Sequence, residues 1–321
     1  MFKYLSGIKP TGQLHIGNFV STIKPIVENG LQDQTLFLIA DHHALTSYHP
    51  NIYSDKIDIS KILYSFGIEN IVYQSMFPEI FELMWILSCF TSKGLMNRSH
   101  AYKDITTKNE QEGKDIDKDV NMGLFNYPIL MAADLTIFNC EYVFIGSDQL
   151  QHIEMANDVV ERFNYYVNSN VLKVPEPIVK SEDNIMGYDG RKMSKSYNNT
   201  MPLMCSKKKL RKHIFSIKTN SKNEGEVKYW DESPVTTLYK CFATKKECED
   251  LTSQMKSGIG WGKVKQVVFD KINEQLEEPR EQYNNCSDSD IEYLVIENCN
   301  NLKDEVEMKV DSQVKRLLNN K

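Results

Sequence analysis

Ser6-Gly7-Ile8-Lys9-Pro10-Thr11-Gly12-Gln13-Leu14-His15-Ile16-Gly17-Asn18 follows the strand-like run Phe2-Lys3-Tyr4-Leu5 and ends where a helix is expected to begin. Gly7 and Gly12 have the spacing of a Walker A loop. Gln13 and Leu14, however, stand where a lysine and a hydroxylated residue would hold phosphate and magnesium, so a P-loop is not expected. The order strand, glycine- and proline-bearing loop, then His15-Ile16-Gly17-Asn18 puts backbone N–H groups and an imidazole at the carboxyl edge of a first strand. Open α/β sheets bind ligands at that edge. Gly17, lacking a side chain, lets a nucleotide approach the helix closely.

Far downstream lies Lys192-Met193-Ser194-Lys195-Ser196, approached by Gly187-Tyr188-Asp189-Gly190-Arg191. Two ammonium groups three residues apart, on a segment freed by glycines, suit a polyphosphate. The two elements together point to nucleotide chemistry.

Between them the apolar runs Thr35–Ile39, Ile71–Ser75 and Tyr142–Ile145 are separated by helix-length stretches, the pattern of parallel strands joined by crossover helices. Ile153, Ala156, Val159, Val160 and Phe163 form an apolar stripe after Asp148, which is read as a helix cap. Residues 103–122 are charged and poor in large apolar groups, and are expected to form a mobile surface excursion. After Met201 the strand signals stop. Val264, Val267, Val268, Ile272 and Leu276, and later Val306, Val310, Val314 and Leu317, recur at three and four, which predicts a helical C-terminal half. The expected division is residues 1–200, α/β, and residues 201–321, all helical.

With 321 residues, 41% hydrophobic and 26% charged, the chain has the composition of a globular protein rather than a disordered one. No apolar run approaches the roughly 20 residues needed to span a bilayer, so no membrane association is expected. The strand-like run begins almost at Met1, which leaves no room for a signal peptide. Seven cysteines without a CxxC pair indicate neither a disulfide framework nor a zinc ribbon, and a cytoplasmic setting is expected. The formal charge of −6 argues against nonspecific coating of nucleic acid, although the basic run Lys207, Lys208, Lys209, Arg211, Lys212 and Lys218 offers a local patch for RNA phosphates or a solvated helix face. Asp41-His42-His43 lacks a third ligand at a recognisable spacing, so no protein-bound metal is expected and His43 is read as a pocket wall.

The 6–18 stretch, Met131-Ala132-Ala133-Asp134, Gly146-Ser147-Asp148-Gln149-Leu150-Gln151-His152 and the lysine loop, in that order, resemble class I tryptophanyl-tRNA synthetases of the bacterial type. His15 to Asn18 look like the family's HIGH element, and Lys192 to Ser196 match its KMSKS loop. The resemblance implies a Rossmann-like parallel-sheet catalytic domain followed by an all-helical anticodon-binding domain, working as a homodimer on L-tryptophan, ATP with Mg2+, and tRNA(Trp). It implies catalytic roles for His15, Asn18, Lys192 and Lys195. ATP contacts are implied at Lys9, Pro10, Thr11, Gly17, Asn18, Gly146, Ser147, Asp148, Ile185 and Lys192 through Ser196, thus including Met193 and Ser194. Asp134 is implied as acceptor of the indole N–H, with Met131, Val143 and Ile145 around the ring and Tyr127, His43 and Gln149 as further lining. The chain departs from the family pattern at Lys9, Leu5 and Ser147, where glutamine, an aromatic residue and glutamate are usual.

The chemistry so implied needs no catalytic base, because an amino-acid carboxylate with a pKa of about 3.5 is already ionised when it attacks the α-phosphorus. The protein has to align the reactants and stabilise charge on the departing pyrophosphate, which lysines, an imidazole and loop N–H groups can do. The Gly-Ser-Asp-Gln order also occurs in tyrosyl-tRNA synthetases, which leaves tyrosine activation as a second reading. A synthetase-like regulator that senses tryptophan or binds RNA is a third.

Overall fold

The computed structural model describes residues 2–47, 50–179, 185–191, 193 and 195–315. Five parallel strands form one sheet: β1 (Tyr4–Ile8), β2 (Thr35–Ile39), β3 (Ile71–Tyr73), β4 (Tyr142–Ile145) and β5 (Glu176–Val179), in the spatial order β3-β2-β1-β4-β5. All pairings are parallel, with Tyr4 opposite both Thr35 and Tyr142. β2 and β3 are buried along their whole length, as strands covered on both faces are, and their near-continuous apolar sequence follows from that.

Three strands differ from the sequence expectation, the simplest being β3, which ends at Tyr73 rather than Ser75. β1 runs from Tyr4 to Ile8 rather than ending at Leu5, because Ser6 and Gly7 continue the ladder against Phe37 and Leu38. β5 was not anticipated. It is an edge strand carrying Pro177, which suits an edge because its missing N–H leaves no ladder bond unmade on the open side.

Helices cover both faces. Pro78–Phe90 packs on Met122–Ile137 and Leu150–Val167, which bury Leu83, Leu87, Ile129, Ala133, Val159 and Phe163. The stripe predicted after Asp148 is this last helix, but Asp148 is not its N-cap. A 3-10 turn over Ser147–Gln149 comes first, and Gln149 occupies the cap position. Within the 103–122 stretch, the helix His100–Gln111 is followed by turns fastened by Asn109, whose Nδ2 donates to the carbonyls of Ile116 and Lys118. This regularity was hidden by the polar composition of the segment.

Past Met201 the described chain is helical apart from turns and an irregular connection over residues 217–229. The long helices Trp261–Asn285 and Asp288–Met308 pack against Ile52–Ser65 and β3, burying Val264, Val268, Ile272, Ile291 and Val295. Polar ties reinforce the contact: Lys61 Nζ reaches Asp288 at 2.9 Å, and Asn298 Nδ2 donates to the Glu69 carbonyl at 2.7 Å. No described helix is long and apolar enough to cross a membrane. The architecture is a Rossmann-like parallel sheet with a helical C-terminal region.

Candidate active site at the carboxyl edge of the sheet

β1 and β4 are neighbours, yet β2 and β3 lie on one side of this pair and β5 on the other. The strand order therefore reverses between β1 and β4, and the loops leaving their carboxyl ends diverge to open a crevice. A cavity of about 520 Å³ lies there. It is within the size range of small-molecule sites. Its walls are Lys9 and Thr11 from the loop after β1, His15 and Asn18 from the next helix, and Gly146 and Gln149 after β4. Val143 and Ile145 come from β4 itself, Met193 and Lys195 from the lysine loop, and His43 from the segment after β2. Tyr127, Met131 and Asp134 complete it. These three sit at i, i+4 and i+7 of the helix Met122–Ile137, the spacing that puts side chains on one helical face.

His15 is the N-cap of the helix Ile16–Asn18, which runs on through a π-turn at Phe19–Ile23 into Lys24–Glu28. Its Nδ1 accepts the Asn18 N–H at 3.3 Å, and Asn18 Oδ1 accepts the His15 N–H at 3.1 Å. This is a reciprocal capping box. Burial pushes the imidazole pKa down to about 4, with the charge of Lys195 adding to the effect. At neutral pH the ring is therefore uncharged, and because Nδ1 is accepting, the proton sits on Nε2. His15 presents an N–H donor rather than a cation. Gly17 gains a further reason not visible in the sequence: a Cβ there would stand 2.8 Å from His15 Nδ1.

The lysine loop reaches the first loop directly. Lys195 Nζ donates to the carbonyls of Thr11 at 2.6 Å and Gly12 at 3.0 Å. Gly12 has a φ of +86°, a conformation that favours glycine, and its N–H donates to Asp55 Oδ2 at 2.6 Å. Burial lowers the Lys195 pKa below the ordinary lysine value, with the Asp55 charge opposing. The segment after the loop is pinned beside the first helix: the Ile16 N–H donates to the Met201 carbonyl, and the Leu203 N–H to the Leu14 carbonyl, both at 2.9 Å. His15 and Pro202 thereby form an antiparallel bridge. Lys9 Nζ lies 5.5 Å from the centre of the Tyr127 ring, and burial lowers its pKa.

At the other end of the cavity Asp134 is 5% exposed. Its Oδ2 accepts from His43 Nε2 at 2.9 Å, and Gln74 Nε2 lies 2.9 Å from both carboxylate oxygens. The His43 ring meets Tyr127 edge-on, 4.3 Å between centres. Gln74 was missed in the sequence, where it reads as the tail of an apolar strand; the strand stops at Tyr73 and Gln74 begins a 3-10 turn. A glutamine closing an apolar run was the available signal. Asp41 is engaged elsewhere. Burial pushes its pKa up, but the His42 imidazole 3.6 Å away, hydrogen bonds from Ser75 and the Lys56 ammonium outweigh this and hold it at about 2. Among the described residues, no group of three or more His, Cys, Asp or Glu side chains is placed to hold a metal ion.

Pro10, Gly17, Ser147 and Ile185 are not among the residues lining the cavity. Ile185 instead accepts the Met193 N–H at 2.8 Å. Lys192 and Ser194 lie outside the described residues, as do the side chains of Asp148 and Ser196.

Residues 1–277 match the family model of the tRNA synthetases class I (W and Y). A tryptophan–tRNA ligase of Neisseria meningitidis is 42% identical over 295 residues, covering 88% of this chain and 87% of that protein. A tryptophan–tRNA ligase of Xylella fastidiosa is 37% identical over 313 residues, covering 94% and 72%. The crystal structure of tryptophanyl-tRNA synthetase from Campylobacter jejuni complexed with ADP and tryptophan superposes with a TM-score of 0.84 at 32% identity, covering 98% of this chain and 99% of that one. An Archaeoglobus fulgidus tyrosyl-tRNA synthetase, 18% identical with a TM-score of 0.62, shares the fold. The chain belongs to the class I tRNA synthetases (W and Y), and within them to the bacterial tryptophanyl type.

Proposed function

We infer that this enzyme is a tryptophan–tRNA ligase, which activates L-tryptophan with ATP and transfers it to the 3′ end of tRNA(Trp). The observation that carries the reading is the buried Asp134 carboxylate at one end of the cavity, with Lys195 and the His15 imidazole at the other. An indole has one donor and no acceptor, and a buried carboxylate is its natural partner.

In the first step the tryptophan carboxylate oxygen attacks the α-phosphorus, the bond from that phosphorus to the β-bridging oxygen breaks, and pyrophosphate leaves. Asp134 accepts the indole N–H. Met131, Val143 and Ile145 pack on the ring, while Tyr127, His43 and Gln149 line the rest of the pocket. His15 Nε2–H, Asn18, Lys192 and Lys195 donate to phosphate oxygens as charge accumulates on the leaving group. Lys9, Pro10, Thr11, Gly17, Gly146, Ser147, Asp148, Ile185, Met193, Ser194 and Ser196 form the remaining nucleotide contacts. In the second step a ribose hydroxyl of tRNA attacks the adenylate carbonyl carbon and AMP leaves.

The described residues at the phosphate end are donors rather than carboxylates, a set that fits Mg2+ carried on the triphosphate more than Mg2+ held by protein. When bound there, Mg2+ supplies neutralisation of phosphate charge. Residues 1–200 form the activation domain, and 201–321 read the anticodon. The basic run Lys207–Lys212 meets tRNA phosphates. A homodimer is supported by the exposed aromatic side chains Trp85 (71% exposed), Tyr165 (89%) and Tyr166, carried on two helices that pack on each other. The enzyme works in the cytoplasm.

The test is exchange of labelled pyrophosphate into ATP. Tryptophan-dependent exchange is expected; exchange driven by tyrosine would establish the second reading, and tryptophan binding without exchange would establish a sensor.

A further inference from the structure

Gln74 is wholly buried, at 0% exposure. Its Oε1 accepts the N–H groups of His42 and His43 at 3.1 and 3.2 Å, and its Nε2 donates to both oxygens of Asp134 at 2.9 Å. This orientation of the amide is the only one without clashes of like groups: reversed, it would set oxygen against carboxylate and N–H against N–H. One side chain thus ties the chain after β2 to the helix that carries Asp134.

A carboxylate has about four acceptor directions. On Asp134, Oδ2 accepts from both His43 and Gln74, whereas Oδ1 accepts from Gln74 alone. The unused direction therefore belongs to Oδ1. We propose that Gln74 is a specificity-positioning residue, which holds the Asp134 carboxylate so that Oδ1 remains the acceptor for the ligand's single N–H. This inference rests on the tryptophan reading above. Gln74 touches neither the reacting atoms nor the nucleotide; it acts through Asp134.

Gln74→Met, close in length and uncharged, removes the donor to Asp134 without placing a second carboxyl beside it. Its tryptophan KM in pyrophosphate exchange should rise by about tenfold or more, the loss of one hydrogen bond to a charged group. The KM for ATP should stay within about twofold, as should the inhibition constant of a tryptophan analogue with sulfur in place of the indole N–H, because neither uses Oδ1 as an acceptor. Gln74→Asn, uncharged and shorter, should give the same split and serves if the first variant does not fold. A parallel rise for tryptophan and the sulfur analogue would mean a merely structural role and would overturn the proposal, as would no change in either. Wild-type exchange that does not depend on tryptophan would instead fail the underlying reading before any variant is made.

Discussion

Lys195 Nζ lies 2.6 Å from the carbonyl oxygen of Thr11, so two elements separated by most of the sheet's sequence meet through one ammonium group. The Lys195 side chain lines the cavity, and its carbonyl partners are uncharged. Lys195→Ala should lower kcat for pyrophosphate exchange by about 10²–10³-fold, the cost of losing one donor to developing charge. Tryptophan affinity, measured by equilibrium dialysis without ATP, should be nearly unchanged.

Asp134→Ala removes the acceptor proposed for the indole and leaves the His43 and Gln74 donors without a carboxylate. kcat/KM for tryptophan should fall by about a hundredfold while the KM for ATP holds. Stability should fall by about 1–3 kcal/mol as well, since buried donors lose their partner. Exchange kinetics and urea melts check the two parts separately.

Protonation of His15 should weaken the fold in acid. Its pKa is pushed from 6.5 down to about 4 in the folded chain, so between those values the unfolded chain binds the proton more readily. The neutral-ring contribution is fully present above about pH 6.5 and is lost progressively as pH falls towards 4. His15→Gln should therefore narrow its Tm deficit relative to wild type between pH 7 and pH 5. A deficit that stays constant would show that the shift has no consequence for folding.

Gly17→Ala is a sharper probe than its size indicates. The new methyl would fall 2.8 Å from His15 Nδ1, closer than real contacts allow, and the ring must swing away from the Asn18 N–H. A lost N-cap costs about 1 kcal/mol. The larger effect should be in catalysis, where a displaced Nε2–H lowers kcat by about tenfold or more, measurable in the same exchange assay.

The parallel sheet was legible wherever burial on both faces made strands uniformly apolar, as at Thr35–Ile39 and Tyr142–Ile145. It was less legible at β1, whose second half is Ser6-Gly7, small residues that a hydrophobic pattern does not register although Ser6 is fully buried. β5 was invisible because an edge strand with Pro177 and exposed positions has neither alternation nor bulk. At the site, Tyr127, Met131 and Asp134, which the family resemblance named, line one cavity because their helical spacing puts them on one face. Gln74 and Asp55 were missed because their value comes from partners 60 and 43 residues away in sequence, Asp134 and Gly12, which no local pattern encodes. Asp148 was misread as a cap because a short 3-10 turn delays the helix.

The paired backbone bonds joining Leu14 and Ile16 to Met201 and Leu203 leave almost no slack where the sheet region hands over to the C-terminal helices. The polypeptide enters the helical half alongside the very turn that carries His15. A displacement of those helices would therefore be felt first at the His15 end of the crevice rather than taken up by a floppy tether.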